Sequence, residues 1–159
     1  MQRFQKEFRS LEYVIAQAES ILLVAHKRPD PDTVGANAAM QEHLKSLGKA
    51  VIIACYDPYP ESLLPLGAKE FVHPDSLDIT RFDAIFALDS VDRGFHQFAS
   101  QVGDSQVVVL MDHHPDITLS GDIVIIDPEY SSTSELVYLF LKQIDARFTK
   151  PLATYLLAG

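Results

Sequence analysis

Two clusters of histidine and aspartate carry most of the chemical potential of this sequence. The first reads His26-Lys-Arg-Pro-Asp30-Pro-Asp32-Thr-Val-Gly35 and sets an imidazole and two carboxylates close together. A residue before proline is pushed out of the helical region, so Pro29 and Pro31 predict extended backbone at Arg28 and Asp30. Alternation along an extended chain would then turn the Asp30 and Asp32 side chains the same way. Carboxylates held side by side repel one another unless a cation lies between them. This mix of nitrogen and oxygen donors suits Mn, Mg, Co or Zn better than copper. The same acidic loop ahead of a helix also suits ordinary turn and N-cap chemistry. The second cluster is Asp112-His113-His114, and a further carboxylate, Asp89, stands in Ala87-Leu-Asp89-Ser.

The segments that must position these residues are short apolar runs, each giving way to a polar cluster: Ala25-His26, Leu88-Asp89, Met111-Asp112 and Ile126-Asp127. Strands are predicted at 21–25, 50–55, 84–88, 107–111 and 123–126, and runs without alternation suit strands covered on both faces. Phe4, Phe8, Leu11, Ile15 and Ala18 form the stripe of an amphipathic helix over about 2–19. Ala36, Met40, Leu44 and Leu47 mark a second helix, with Gly48 at its end. Ser132 and Glu135 form a capping-box pair that starts a third at about Thr133. The interleaving predicts an α/β fold, a mainly parallel sheet with flanking helices. In such a sheet the strand ends share one edge, where ligands bind.

Composition narrows the function. The 159 residues are 47% hydrophobic and 22% charged, as expected of one ordinary globular domain. A net charge of −9 excludes a grip on long nucleic acid through a general positive field. With a single cysteine, Cys55, any metal must be held by histidines and carboxylates. No apolar run approaches a membrane span and Met1–Ser10 is polar, which predicts a cytoplasmic location with no membrane partner.

In combination these landmarks resemble the N-terminal domain of the DHH superfamily of phosphoesterases. The H-x-x-x-D-x-D-x-x-G loop, the aspartate of Ala87-Leu-Asp89-Ser, the Asp-His-His at 112–114 and Ser131-Ser-Thr-Ser-Glu135 occur in the family's order from Ser20 onward. The resemblance implies two divalent metal ions, with Mn²⁺ favoured and Mg²⁺ or Co²⁺ as alternatives. His26 and Asp30 would bind one ion, Asp32 and His113 the other, and Asp89 would bridge them. His114 would face the substrate phosphate as the catalytic histidine, with Asp112 orienting a ligand. Arg28 and Arg93 are candidates for phosphate contact; surface charge is the plainer account of both. The branch resembled degrades short oligoribonucleotides and dephosphorylates phosphoadenosine phosphate. Cyclic-dinucleotide phosphodiesterases, single-strand exonucleases and manganese pyrophosphatases share the same core, and a non-catalytic nucleotide- or metal-binding module is the alternative of another class. A homodimer is one assembly open to the chain.

Pro151–Ala158 reads as a helix still supplying apolar residues when the sequence stops. Residues 1–159 are therefore expected to be a DHH catalytic domain cut short of a further metal-binding aspartate and of the family's second, substrate-binding domain. Asp127 reads as a turn former, and His43, His73 and His96 as structural or solvated.

Overall fold

The computed structural model describes residues 3–66, 71–115 and 117–159. Five strands make one all-parallel sheet: β1 (Ser20–Val24), β2 (Ala50–Ala54), β3 (Ala84–Leu88), β4 (Val107–Asp112) and β5 (Ile123–Ile126), in the order β2-β1-β3-β4-β5. The α-helices are α1 (Gln5–Gln17), α2 (Pro31–Ser46), α3 (Thr133–Gln143) and α4 (Lys150–Leu156). Among the described residues no helix is long and apolar enough to cross a membrane.

The strands are apolar because both faces are covered, but the two covers differ. Ile21, Leu23, Phe86, Leu88, Val109 and Met111 pack under the helices, against Phe8 and Leu11 of α1, Met40 and Leu44 of α2, Phe140 of α3 and Tyr155 of α4. Leu22, Val24, Ile85, Ala87 and Leu110 point the other way, beneath Ile79, Val91, Phe95 and Phe98 from a segment of short 3-10 turns. Helices therefore flank the sheet on one face only, while irregular chain closes the other.

Two expectations about the first polar loop need correction. Asp30 is extended (φ −101°, ψ 178°), but it is the N-cap of α2, accepting the Thr33 N–H at 3.0 Å, and the helix begins at once at Pro31. Proline at a first helical position has the right φ and lacks only an N–H that would be unpaired anyway. Asp32 thus lies in the first helical turn, and strand-like alternation does not relate it to Asp30. Arg28, unlike Asp30, is not extended: its φ is +52°, and its N–H donates to the Asp57 carboxylate at 2.6 Å.

Gly35 is fixed by close approach, not by backbone freedom. A Cβ there would lie 2.5 Å from the Tyr155 carbonyl oxygen and 3.2 Å from Ser134 Oγ, so α2 and α4 touch at this point. Gly35→Ala should cost about 1–3 kcal/mol through overpacking. Thermal unfolding should register it as a lower melting temperature, whereas an unchanged value would mean that α4 is free to move away.

Candidate metal centre

The strand order turns back at β1 and β3, and the crevice beyond their carboxyl ends is where parallel α/β sheets bind ligands. His26 follows β1, Asp89 follows β3, and Asp112, His113 and His114 end β4, while Asp30 and Asp32 open α2. All of these meet at that crevice. Asp89 joins two groups of potential ligands, one with His26 and Asp30 and one with His113 and His114.

In the first group, His26 Nε2 stands 3.3 Å from Asp30 Oδ2 and 3.4 Å from Asp89 Oδ2. His26 is 2% exposed and Asp89 1%. Nevertheless His26 Nε2 and Asp89 Oδ2 are buried without a well-directed hydrogen-bond partner. Buried polar atoms are normally paired, so two orphans facing each other mark a place for a cation. The His26 ring is oriented for that role, since Nδ1 donates to the Lys27 carbonyl at 2.6 Å and turns Nε2 to the cluster, where a cation can displace its proton.

In the second group, His113 Nε2 lies 3.6 Å from Asp32 Oδ2 and 3.7 Å from Asp89 Oδ1. Asp32 does more than wait for a cation. Its Oδ2 accepts the Thr133 N–H and its Oδ1 the Ser134 N–H, both at 2.8 Å, so it caps α3 from another helix. Thr133 Oγ1 in turn donates to Asp89 Oδ1 at 3.1 Å. The Ser-Ser-Thr-Ser-Glu run gives away the helix start; that this start faces the acidic cluster has no local signal, because the partners are far apart in sequence.

Asp112, Arg93 and His114 form a chain. Asp112 Oδ1 accepts from His114 Nδ1 at 2.7 Å and from the His114 backbone N–H at 3.0 Å. Arg93 lies 2.9 Å from His114 Nε2 and, being able only to donate, makes Nε2 the acceptor. The Arg93 guanidinium is also 4.0 Å from Asp89. Arg28 is not in this cluster; it lines the neighbouring cleft with Lys27 and His96. Asp127, at the end of β5, accepts the Glu129 N–H at 3.0 Å and pairs with Arg3 at 2.8 Å.

Charge states follow from this crowding. Burial works to lower the His26 pKa, but the Asp30 and Asp89 carboxylates outweigh it and raise it to about 9. His26 and the Thr33 N–H hold Asp30 down to about 2 against its partial burial. Burial pushes Asp89 up, against the pull of His26, and the charges of Asp32 and Asp112 add to the rise.

Fold and cluster together define an open parallel α/β domain with a histidine–aspartate centre suited to divalent cations. The N-terminal domain of the DHH family matches residues 20–159, and the chain belongs to that family. It is 26% identical to a bifunctional oligoribonuclease and PAP phosphatase of Thermus thermophilus, over 99% of this chain and 47% of that protein. A probable manganese-dependent inorganic pyrophosphatase of Streptococcus thermophilus is 24% identical over 87% of this chain and 46% of its own length. An exopolyphosphatase-related protein of Bacteroides fragilis superposes with a TM-score of 0.88 at 25% identity, covering all of this chain and 51% of that one. The chain spans about half the length of these relatives.

A pH dependence follows for the metal-free protein. The His26 pKa is raised above its ordinary 6.5, so its pairing with Asp30 and Asp89 contributes fully below pH 6.5 and is lost as pH rises through about 9. Denaturant unfolding in chelator should therefore show stability falling between pH 6.5 and 9.5. His26→Gln should flatten that fall; an equal fall in the variant would assign it to other groups.

Proposed function

We propose that this chain is the catalytic DHH domain of a divalent-metal-dependent phosphoesterase acting on short oligonucleotides, phosphoadenosine phosphate or both. The observation that carries the reading is the Asp89 carboxylate, common to two ligand groups and buried beside the orphaned His26 Nε2. His26 and Asp30 would hold one ion, Asp32 and His113 a second, and Asp89 both. Mn²⁺ is the favoured ion, a choice supported by the manganese-dependent relative. Bound divalent cations supply Lewis acidity toward phosphoryl oxygens and a nucleophile at neutral pH.

The remaining side chains orient the phosphate and manage its charge. Asp112 holds His114 through Nδ1, and Arg93 donates to Nε2, so the guanidinium is the donor group beside the cluster and the imidazole holds it there. A phosphoryl oxygen entering there would take over the Arg93 donor, which a guanidinium gives to phosphate in fixed geometry. His114 Nε2, released from Arg93, would then be free to take up a proton and, as imidazolium, offset charge developing on the phosphoryl group. The acidic chain favours small substrates, since its net charge of −9 repels a long polyanion.

Two measurements test the reading. Chelation should abolish hydrolysis of a dinucleotide and of phosphoadenosine phosphate, and Mn²⁺ should restore it; full activity in excess chelator would exclude a metal mechanism. By calorimetry, Asp89→Asn should weaken Mn²⁺ binding more than any other single change, by roughly tenfold or more, because it removes charge from both ions at once. His43→Ala, in the C-terminal half of α2, should bind normally. Equal affinities in the two variants would remove Asp89 from the centre.

A further inference from the structure

Beside the metal centre opens a cleft of about 440 Å³ that shares His26 and Asp30 with it and whose other walls include Lys27, Arg28, Arg93 and His96. Three permanent cations and two histidines against one carboxylate make this a positive spot on a chain of net charge −9. Arg3 pairs with Asp127 and Glu129, and Arg81 with Asp78, whereas the cations of this cleft are set apart by standing together around one hollow. Among the described residues, the Lys27 ammonium and the Arg28 guanidinium have no carboxylate within 4.0 Å. Like charges gathered around a hollow, two of them without a carboxylate partner, are a site for an anion.

The walls are also built, not draped. The Lys27 N–H donates to the Arg93 carbonyl at 3.1 Å, tying the loop after β1 to the loop after β3. At Gly94 the two loops touch, since a Cβ would lie 2.8 Å from the Ala25 carbonyl oxygen. Lys27 Nζ rests over the Tyr56 ring, 5.1 Å from its centroid. Arg28 sits in left-handed backbone (φ +52°), a conformation unfavourable for a residue with a side chain, and the Asp57 carboxylate holds it there through the Arg28 N–H at 2.6 Å. A strained residue held in place at the rim of a binding crevice points to a placed side chain. A larger cleft, about 710 Å³ between α1 and the starts of β4 and β5, mixes Lys6 and Arg9 with Glu7 and Asp122 and has no such bias.

We propose that this cleft is an anion subsite for a second phosphoryl group of the substrate, one that is not cleaved, with Lys27 and Arg28 as its specificity-determining cations. The proposal rests on the phosphoesterase reading for the identity of the ligand. A guanidinium fork offers a phosphate two parallel donors, and the ammonium adds a point charge. His96, which the sequence leaves as structural or solvated, and Gln97 offer further hydrogen-bonding groups on the same wall. The preferred ligand is therefore a nucleotide with one phosphate at the metal centre and another in the cleft.

Binding and turnover separate the two ideas. Affinities for a non-hydrolysable phosphonate analogue of adenosine 3′,5′-bisphosphate and for adenosine monophosphate are measured by calorimetry with Mn²⁺, and hydrolysis of the bisphosphate itself with Mn²⁺. The wild type should prefer the bisphosphate analogue, and the double variant Lys27→Ala/Arg28→Ala should lose that preference by about tenfold or more. Arg28→Lys should recover part of it, and Lys45→Ala, at an exposed position near the end of α2, should leave it unchanged. An absent preference in the wild type, or an equal one in the double variant, overturns the subsite. If the preference follows the variants but Mn²⁺ yields no hydrolysis, the subsite stands and the phosphoesterase reading fails. If hydrolysis proceeds with a preference indifferent to Lys27 and Arg28, the reverse holds.

Discussion

Asp89 follows directly on a strand buried along its whole length, and its own side chain is 1% exposed. Its backbone is left-handed, with φ +58°. A lone carboxylate in such a place costs several kcal/mol in lost hydration, so its surroundings must return what water no longer supplies. Thr133 donates to it, His26, His113 and His114 face it, and Arg93 stands a little further off. Nearly every other feature of the carboxyl edge can be traced to this need. β1 delivers His26, β4 delivers the paired histidines, and α3 brings a hydroxyl and its positive end.

The helices contribute to the same balance through their termini. Asp30 and Asp32 occupy the start of α2, where carboxylates are favoured by the helix dipole. Asp32 reaches further and closes the first turn of α3 with both of its oxygens. The acidic cluster therefore holds together before any cation arrives. Each carboxylate oxygen has a second lone pair, so holding a helix end and serving a cation do not exclude one another.

How much of this is legible in the sequence depends on how local the cause is. β1, β3 and β4 are uninterrupted apolar runs, and their sequence boundaries agree with the structure to within a residue. The start of α3 is legible because Ser132 and Glu135 carry it within one turn, with Ser132 Oγ accepting the Glu135 N–H at 3.1 Å. The loop from His26 to Asp32 is only half legible. Proline rules give the extended Asp30 correctly, but Pro31 starts a helix immediately, which ends the alternation, and Asp57, from a distant loop, turns Arg28 into the left-handed region. The trans-cap of Asp32 on α3 and the contact of Thr133 with Asp89 depend on tertiary placement alone. His and Asp spacing suggests a cation site; it does not reveal which carboxylates also serve as structural caps.

The unequal covering of the sheet gives the two sides of the crevice different resilience. Asp30 and Asp32 ride on α2, a four-turn helix buried almost all round and wedged under α3 and α4. Asp89, Arg93 and the wall formed by His96 lead into short 3-10 turns, whose few regular hydrogen bonds lie over the other face. Local opening follows such differences in ordered backbone, so amide protons along 90–102 should exchange through smaller excursions than those of α2. The crevice thus has an anvil on one side, fixed with the helical layer, and on the other a wall braced by loop-to-loop contacts and short turns.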